Sequence, residues 1–387
     1  MRCCLFLFVL VAETQSKSVT ISNKEPRLST TGEVVDCHDG PIVGPVNGTY
    51  FMYGEWYGTQ PFSVSGSNAL PKLSVYTSTN LSSGSWEFRG LLHNNSNPGW
   101  ETSPVWPWAP AGAWYSPSAV YSEKRRKFII YWSASQAECC TAQWGVAQSD
   151  DGVHFDLMSM TETASLNSSL DGSSLMIDDD GIGYVAYDAM QAPGMQGHVV
   201  AIDRLAPDLL SSSKERVALM PDSFVEGTLL FKRKGRYYVV YGSCCCACRE
   251  GSGAVVLSAG KISGPWVRQP RDVNCKLDAP VCAGMPGADR PTGHLTINAQ
   301  GIAISVIPSA IEGEDTYLWN GMRWLSGPDN PPKCNSLCSA PTGDCAQSAA
   351  YRTAADFDYW IPLEFDANGT VQQFADFVDE FNLTLRG

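Results

Sequence analysis

Apolar residues in this chain come in short runs that enter a turn and resume beyond it as an aromatic-rich run. Five such pairs stand out: GPIVGPVNGTYFMYG after Asp39, SPSAVYSEKRRKFIIYWS from Ser116, GSSLMIDDDGIGYVAYD after Asp171, GTLLFKRKGRYYVVYGS after Glu226, and HLTINAQGIAISVIPS from His294. Each reads as a β-hairpin. The starts at 39, 116, 171, 226 and 294 are separated by 77, 55, 55 and 68 residues. A hairpin in every unit at such a quasi-period predicts an all-β fold, a five-bladed β-propeller. If each hairpin opens a blade with its first strand innermost, the residues ahead of those strands converge on a funnel along the propeller axis. Three of the five pairs place a carboxylate there: Asp39, Asp171 and Glu226.

Later segments repeat as well. KLSVYTSTNL and GSWEFRGLL alternate apolar and polar residues as outer strands do, and WGVAQSDDGVHFDLM, GHVVAIDRLAPDLLS and GAVVLSAGKISGPWVRQ resemble one another. Residues 36–387 read as a single propeller domain, preceded by a polar, extended lead-in over 17–35. DYWIPLEFDANGTVQQF is expected as a terminal strand that returns to close the ring. No window has apolar positions at helical spacing with good caps, and 35 Gly, 24 Pro and 11% aromatics agree with little helix.

The net charge of −13 argues against nucleic acid or an anionic membrane as partner. A neutral carbohydrate fits, and a monomer is expected. MRCCLFLFVLVAETQS, residues 1–16, reads as a signal peptide, with Arg2 at its positive end and an apolar core too short to span a bilayer. Fourteen cysteines and six N-x-Ser/Thr sequons agree with a secreted, disulfide-bonded glycoprotein. The run CCCAC at 244–248 lacks the paired spacing of a zinc site, and disulfides are the better reading. Cys37, beside Asp39, is placed to bridge the first strand to a neighbouring blade.

Breaking a glycosidic bond with inversion requires a carboxylic acid to protonate the leaving oxygen. It also requires a carboxylate base, roughly 6.5–9.5 Å away, to activate water. A third carboxylate raises the acid's pKa by like-charge repulsion. Asp39, Asp171 and Glu226 make such a set, although Asp39-Gly40-Pro41 and Asp171-Gly172 also suit simple turn caps. Glu226 opens an apolar run, where an unpaired carboxylate is costly. His294 and Arg323 are candidate substrate contacts, each with a structural alternative. PGWETSPVWPWAPAGAWYSP supplies Trp106 and Trp114, either as a stacking platform for sugar rings or as a satellite core.

These residues carry a resemblance to glycoside hydrolase family 43, the five-bladed propeller enzymes acting on arabinans, xylans and galactans. HDGPIV followed by GTYFMYGE, the Ser169–Asp171 S-x-D ahead of its DDDG hairpin, and the Glu226 hairpin all match. NGMRW…YWIPLEFDANGTV looks like the final blade of the exo-β-1,3-galactanase branch. The resemblance implies Asp39 as general base, Asp171 as pKa modulator and Glu226 as general acid. It requires no cofactor and admits a calcium ion in the funnel near His294. That branch usually has Gly where this chain has Asp39, and a second-blade Glu where WYSPSAV has none. The expectation is therefore a secreted, inverting glycosidase acting on arabinose-, xylose- or galactose-containing chains. The alternative is a catalytically inactive carbohydrate-binding propeller.

Overall fold

The computed structural model describes residues 16–58, 72–95, 100, 113–135, 142–166, 170–190, 197–243, 249, 251–276, 294–309, 311, 314–327 and 353–386. Five antiparallel meanders follow one another along the chain. Blade one is β2 (Ile42–Val46), β3 (Thr49–Trp56), β4 (Lys72–Ser78) and β5 (Glu87–Leu91). Blade two is β6 (Ala113–Ser122), β7 (Lys127–Ser135), β8 (Ala142–Ser149) and β9 (Phe155–Glu162). Blade three is β10 (Leu170–Ile177), β11 (Gly183–Ala189), β12 (Val199–Leu205) and β13 (Ser212–Ser223). Blade four is β14 (Val225–Arg233), β15 (Arg236–Ser243), β16 (Val255–Ala259) and β17 (Val267–Arg268). Blade five has three strands, β18 (Gln300–Ile307), β19 (Thr316–Arg323) and β20 (Phe357–Pro362). Each inner strand lies against that of the next blade, and β18 against β2, so the ring is closed.

Burial follows position in the blade. The second strands are covered on both faces: RYYVVYGS of β15 is buried at every residue after Arg236, as its unbroken apolar run demands. Outer strands alternate, as FDLMSMTE of β9 does. The aromatic residues fill five wedges, one between each pair of neighbouring blades. A serine device recurs at three blade junctions. The hydroxyls of Ser118, Ser174 and Ser305 accept the backbone N–H of Leu175, Leu230 and Ile42 in the following blade at 2.7, 2.9 and 2.9 Å. These bonds lock the pitch between inner strands without adding bulk near the axis.

Two expectations change, the first about ring closure. The segment from Phe357 is the third strand of blade five, paired to β19. The chain ends instead pair with each other: β1 (Lys17–Ser22), within the lead-in, joins β21 (Glu380–Leu385) as a separate two-stranded sheet. The next few residues of the lead-in cover the free edge of β20. Asn23 Nδ2 donates to Trp360 O at 2.8 Å and its Oδ1 accepts the Trp360 N–H at 3.0 Å. Arg27 donates to Asp358 O at 2.5 Å and lies 3.3 Å over the Trp360 ring. Side chains here do the work of a missing fourth strand. Because Asn23 is fully buried, Asn23→Ala orphans both backbone groups and is expected to cost about 1–3 kcal/mol in chemical denaturation.

The second expectation concerned the fifth hairpin. Its inner strand begins at Gln300, and His294 lies six residues ahead, exposed, in a short bridge region where its carbonyl accepts the Lys276 N–H. The intervening segment, residues 295–299, is bonded to Asn274 and Phe374 before the strand starts.

Cys37 is free and buried, its thiol directed at the Met52 and Ser74 carbonyls in the blade-one core, so it forms no inter-blade bridge. Cys275 is disulfide-bonded. Residues 1–15 of the expected signal peptide, and the CCCAC run, lie outside the described residues. Among the described residues no helix is long and apolar enough to cross a membrane.

Candidate active site

The inner strands all begin at one end of the axis. The other end opens into a cavity of about 560 Å³ lined by Ile42, Leu175, Leu230, Phe231 and Ile304, and holds none of the three expected acids. At the strand starts a two-residue bulge breaks the first hairpin of each of blades one, two and four. His38 pairs with Glu55, and the Tyr53 N–H then reaches Pro41 O, leaving Asp39 and Gly40 opposite one residue. In β6 the bulge is Ser116 and Pro117, and in β14 Gly227 and Thr228. A one-residue bulge at Gly172 does the same in β10. The first bulge residue has positive φ in all four: Asp39 58°, Ser116 48°, Gly172 33° and Gly227 73°. Aspartate tolerates this region better than most residues.

Register therefore corrects the sequence alignment of the acids. Asp171 and Glu226 occupy the same position, the residue before the bulge, whereas Asp39 stands one residue further, inside it. The counterpart of Glu226 in blade one is His38. That histidine is buried behind the strand, its Nε2 3.3 Å from Asp36 Oδ1. Burial works against its charged form, but Asp36, with Asp358 and Asp356 beyond, raises its pKa. Two glycines at this end are required by close approach. A Cβ on Gly40 would stand 1.8 Å from Tyr53 O, and one on Gly227 would stand 2.7 Å from Gly301 O of blade five.

Glu226 is 6% exposed. Gln300 Nε2 donates to its Oε1 at 3.1 Å, and His198 Nδ1 lies 3.7 Å from its Oε2. Trp324 in turn donates its indole N–H to Gln300 Oε1 at 2.8 Å, which fixes the amide orientation. Gln300, the first residue of β18, was not among the sequence candidates. Its signal was present: Ala299-Gln300-Gly301 repeats the apolar-acid-glycine step of Val225-Glu226-Gly227 and Leu170-Asp171-Gly172, with an amide for the acid.

Two further carboxylates come from second strands. Asp188 on β11 is the partner of Asp171, and Glu55 on β3 is the partner of His38. They occupy equivalent positions and do equivalent work, reaching across to the bulge of the next blade. Asp188 Oδ2 accepts the Gly227 N–H at 2.8 Å and its Oδ1 the Thr228 hydroxyl, clamping the turn that follows Glu226. Glu55 Oε1 accepts the Ser116 N–H at 2.7 Å, and its Oε2 the Tyr57 hydroxyl. Burial first, then the Asp39 charge, push the Glu55 pKa well above the usual carboxylate range. Asp39, half-buried, accepts the Ser116 hydroxyl at 3.2 Å. Hydropathy pattern could not reveal Glu55 or Asp188, since each sits in an otherwise apolar, fully covered strand.

Asp188→Ala is expected to leave the Gly227 N–H and Thr228 hydroxyl unmet. It should cost about 2–5 kcal/mol on denaturant unfolding, because two buried groups lose a charged acceptor. Asp188→Asn, which keeps an acceptor, should cost well under half as much.

Of the remaining candidates, Trp114 at the start of β6 and Arg323 at the end of β19 are near this end but are committed to packing. Trp114 is 2% exposed and packs 5.7 Å from Trp100 and 5.4 Å from Trp132, with Lys72 Nζ 4.7 Å above it. It belongs to the wedge between blades one and two, the satellite-core alternative. Trp106 lies outside the described residues. The Arg323 guanidinium is stacked between Phe357 and Phe377 at 4.8 and 5.0 Å, a packing position at the end of β19. His294 does not reach the strand starts. Among the described residues no group of three or more His, Cys, Asp or Glu is placed to hold a metal ion.

Residues 38–276 match the profile of glycosyl hydrolases family 43. No curated protein matches the sequence. Among solved structures, a family 43 β-1,3-galactosidase with galactodeoxynojirimycin is 19% identical at a TM-score of 0.64, covering 92% of this chain and 99% of its own. An exo-β-1,3-galactanase from Clostridium thermocellum is 19% identical with the same TM-score, covering 91% of this chain, which spans 64% of that one. An endo-1,4-β-xylanase from Bacteroides thetaiotaomicron is 16% identical at a TM-score of 0.53, covering 89% and 96%.

Proposed function

This chain belongs to glycosyl hydrolases family 43, and is a glycosidase on that ground; from this premise we propose that it is a secreted, inverting enzyme that cleaves β-1,3-linked galactose chains. The observation that carries the mechanism is Glu226, a buried carboxyl at an inner-strand start, held by Gln300 and His198 and backed by the Asp188 clamp. In this reading Glu226 protonates the glycosidic oxygen. Asp39, on a strand start two blades away at the same end of the axis, accepts a proton from the attacking water. Asp171, before the bulge of blade three, keeps the Glu226 proton in place by like-charge repulsion. Support for galactan over xylan comes from the more similar structures, two of them β-1,3-galactose enzymes at a TM-score of 0.64 against 0.53 for the xylanase.

The test is hydrolysis of β-1,3-galactan, arabinan, xylan and the matching aryl glycosides by the full chain, with the first-formed anomer read by NMR. Release of α-galactose from the β-linked polymer is the expected result. Cleavage of xylan or arabinan alone overturns the substrate assignment. A second reading, binding without turnover, is favoured by one feature: blade two begins with Tyr115 and Ser116 where blades three and four have acids. Calorimetric binding of galacto-oligosaccharides with no product would establish it.

A further inference from the structure

Blade two brings no acid to the strand starts, yet its bulge does not lack one. Glu55, from the second strand of blade one, is 1% exposed and ends against the Ser116 backbone. Its carbon chain is one methylene longer than that of Asp188 at the equivalent position. Both side chains lie beside the bulge of their own blade as well as that of the next: Asp188 Oδ2 would stand 2.8 Å from a Cβ on Gly172. Ser116 joins its carboxyl to that of Asp39, giving its N–H to Glu55 Oε1 at 2.7 Å and its O–H to Asp39 Oδ2 at 3.2 Å, so the two acids face each other across one residue and the Asp39 charge bears on Glu55.

Two carboxyl groups held this close cannot both stay ionised at low cost, and a proton shared between them relieves the repulsion. Environment decides its owner. Glu55 is sealed among Tyr57, His38 and the start of β6, while Asp39 is half-buried and has solvent access. The charged form is disfavoured more at the sealed site. Around the pair stand Tyr57, His38 and Asp36 from blade one, Tyr115 from blade two and Asp358 from blade five. His38 and Asp36 face each other behind the strand, and the Tyr57 hydroxyl already donates to Glu55.

We propose that Glu55 is a positioning residue for the reaction: a protonated carboxyl that donates its hydrogen bond to Asp39 and, together with Ser116, holds Asp39 ionised and aimed as the base. The proposal rests on the reading of Asp39 as the base. Glu55 itself exchanges no proton with water or sugar. Neutral Glu55 can keep its acceptor bonds to Ser116 and Tyr57 while giving its O–H to Asp39, because a protonated carboxyl retains acceptor capacity. A glutamine at this position keeps the Ser116 N–H on its one oxygen and gives an N–H to Asp39, with the Tyr57 hydroxyl turning from donor to acceptor; an alanine removes all three bonds.

Glu55→Gln and Glu55→Ala separate this role from others. On β-1,3-galactan, Glu55→Gln is expected to keep kcat within about threefold of the natural chain. Glu55→Ala should lose about 100-fold in kcat with little change in KM, the cost of a misplaced catalytic group. Equal loss in the two variants, or equal activity, overturns the proposal. Infrared difference spectra of the full chain with isotope-labelled glutamate carboxyls supply a readout that needs neither turnover nor the alanine variant to fold. Beside the band of protonated Glu226, a second glutamic acid C=O band should persist at neutral pH, vanish in Glu55→Gln, and titrate at lower pH in Asp39→Asn. Absence of that band in the natural chain refutes the proton assignment even if the enzyme is active. The band without cleavage of any glycan refutes the functional reading and leaves the paired carboxyls standing.

Discussion

Glu226→Gln is expected to lower kcat on unactivated β-1,3-galactosides by about 10²–10⁴-fold, the usual contribution of a general acid. Glutamine fills the same volume and still meets Gln300 and His198, so the fold and the sugar site are kept. What disappears is the proton. An alkoxide leaving from galactose is strongly basic and departs only as protonation proceeds, whereas a nitrophenolate leaves without help. The loss should therefore shrink sharply on nitrophenyl β-galactoside, and the ratio of the two losses is the diagnostic. A uniform loss on both substrates would mean that Glu226 binds or supports the site and that the acid lies elsewhere. The neighbours already limit that alternative: the Gln300 amide is fixed by Trp324, and the Asp188 carboxylate is spent on Gly227 and Thr228.

The propeller was legible because its second strands are covered on both faces and must be continuously apolar, while their hairpin turns must be polar. That contrast survives in a single sequence, and it located the inner strands of four blades. In the fifth blade it failed by six residues. The segment from His294 looks strand-like, but Thr296 and Ile297 are spent on bonds to Phe374 and Asn274, and the ladder begins only at Gln300. Glu226 was readable as a charge at the head of an apolar run. Glu55 and Asp188 were not, since nothing local tells a carboxylate inside GTYFMYGE or YVAYD that its partners lie in the next blade. The chain ends hid for the same reason. Asn23 replaces strand pairing with one amide, a contact 337 residues away in sequence. Asp39 was found as a residue and misplaced as a position, because its left-handed backbone sets it one step further than the acid it was aligned with.

That one-step displacement makes Asp39 the sharper test. Asp39→Asn is expected to reduce kcat by about 10²–10⁴-fold if the aspartate takes the proton from water. Binding should survive, since the amide keeps the Ser116 hydrogen bond and the shape of the bulge. Asp39→Gly goes further. Glycine suits φ 58° without strain, so the variant should fold at least as well as the natural chain, and any loss belongs to chemistry. The same change removes the neighbour charge of Glu55 and opens room beside Ser116. Azide, which needs no deprotonation to attack, should then restore turnover of an aryl β-galactoside and yield an α-galactosyl azide, with the configuration inverted. Full activity in Asp39→Gly without azide would assign the base to another group at this end of the ring, with Gln300, hydrogen-bonded to Glu226, the first to examine. Loss with azide rescue fixes Asp39 as the base, and places the water between the bulge of blade one and Glu226, the second residue of blade four.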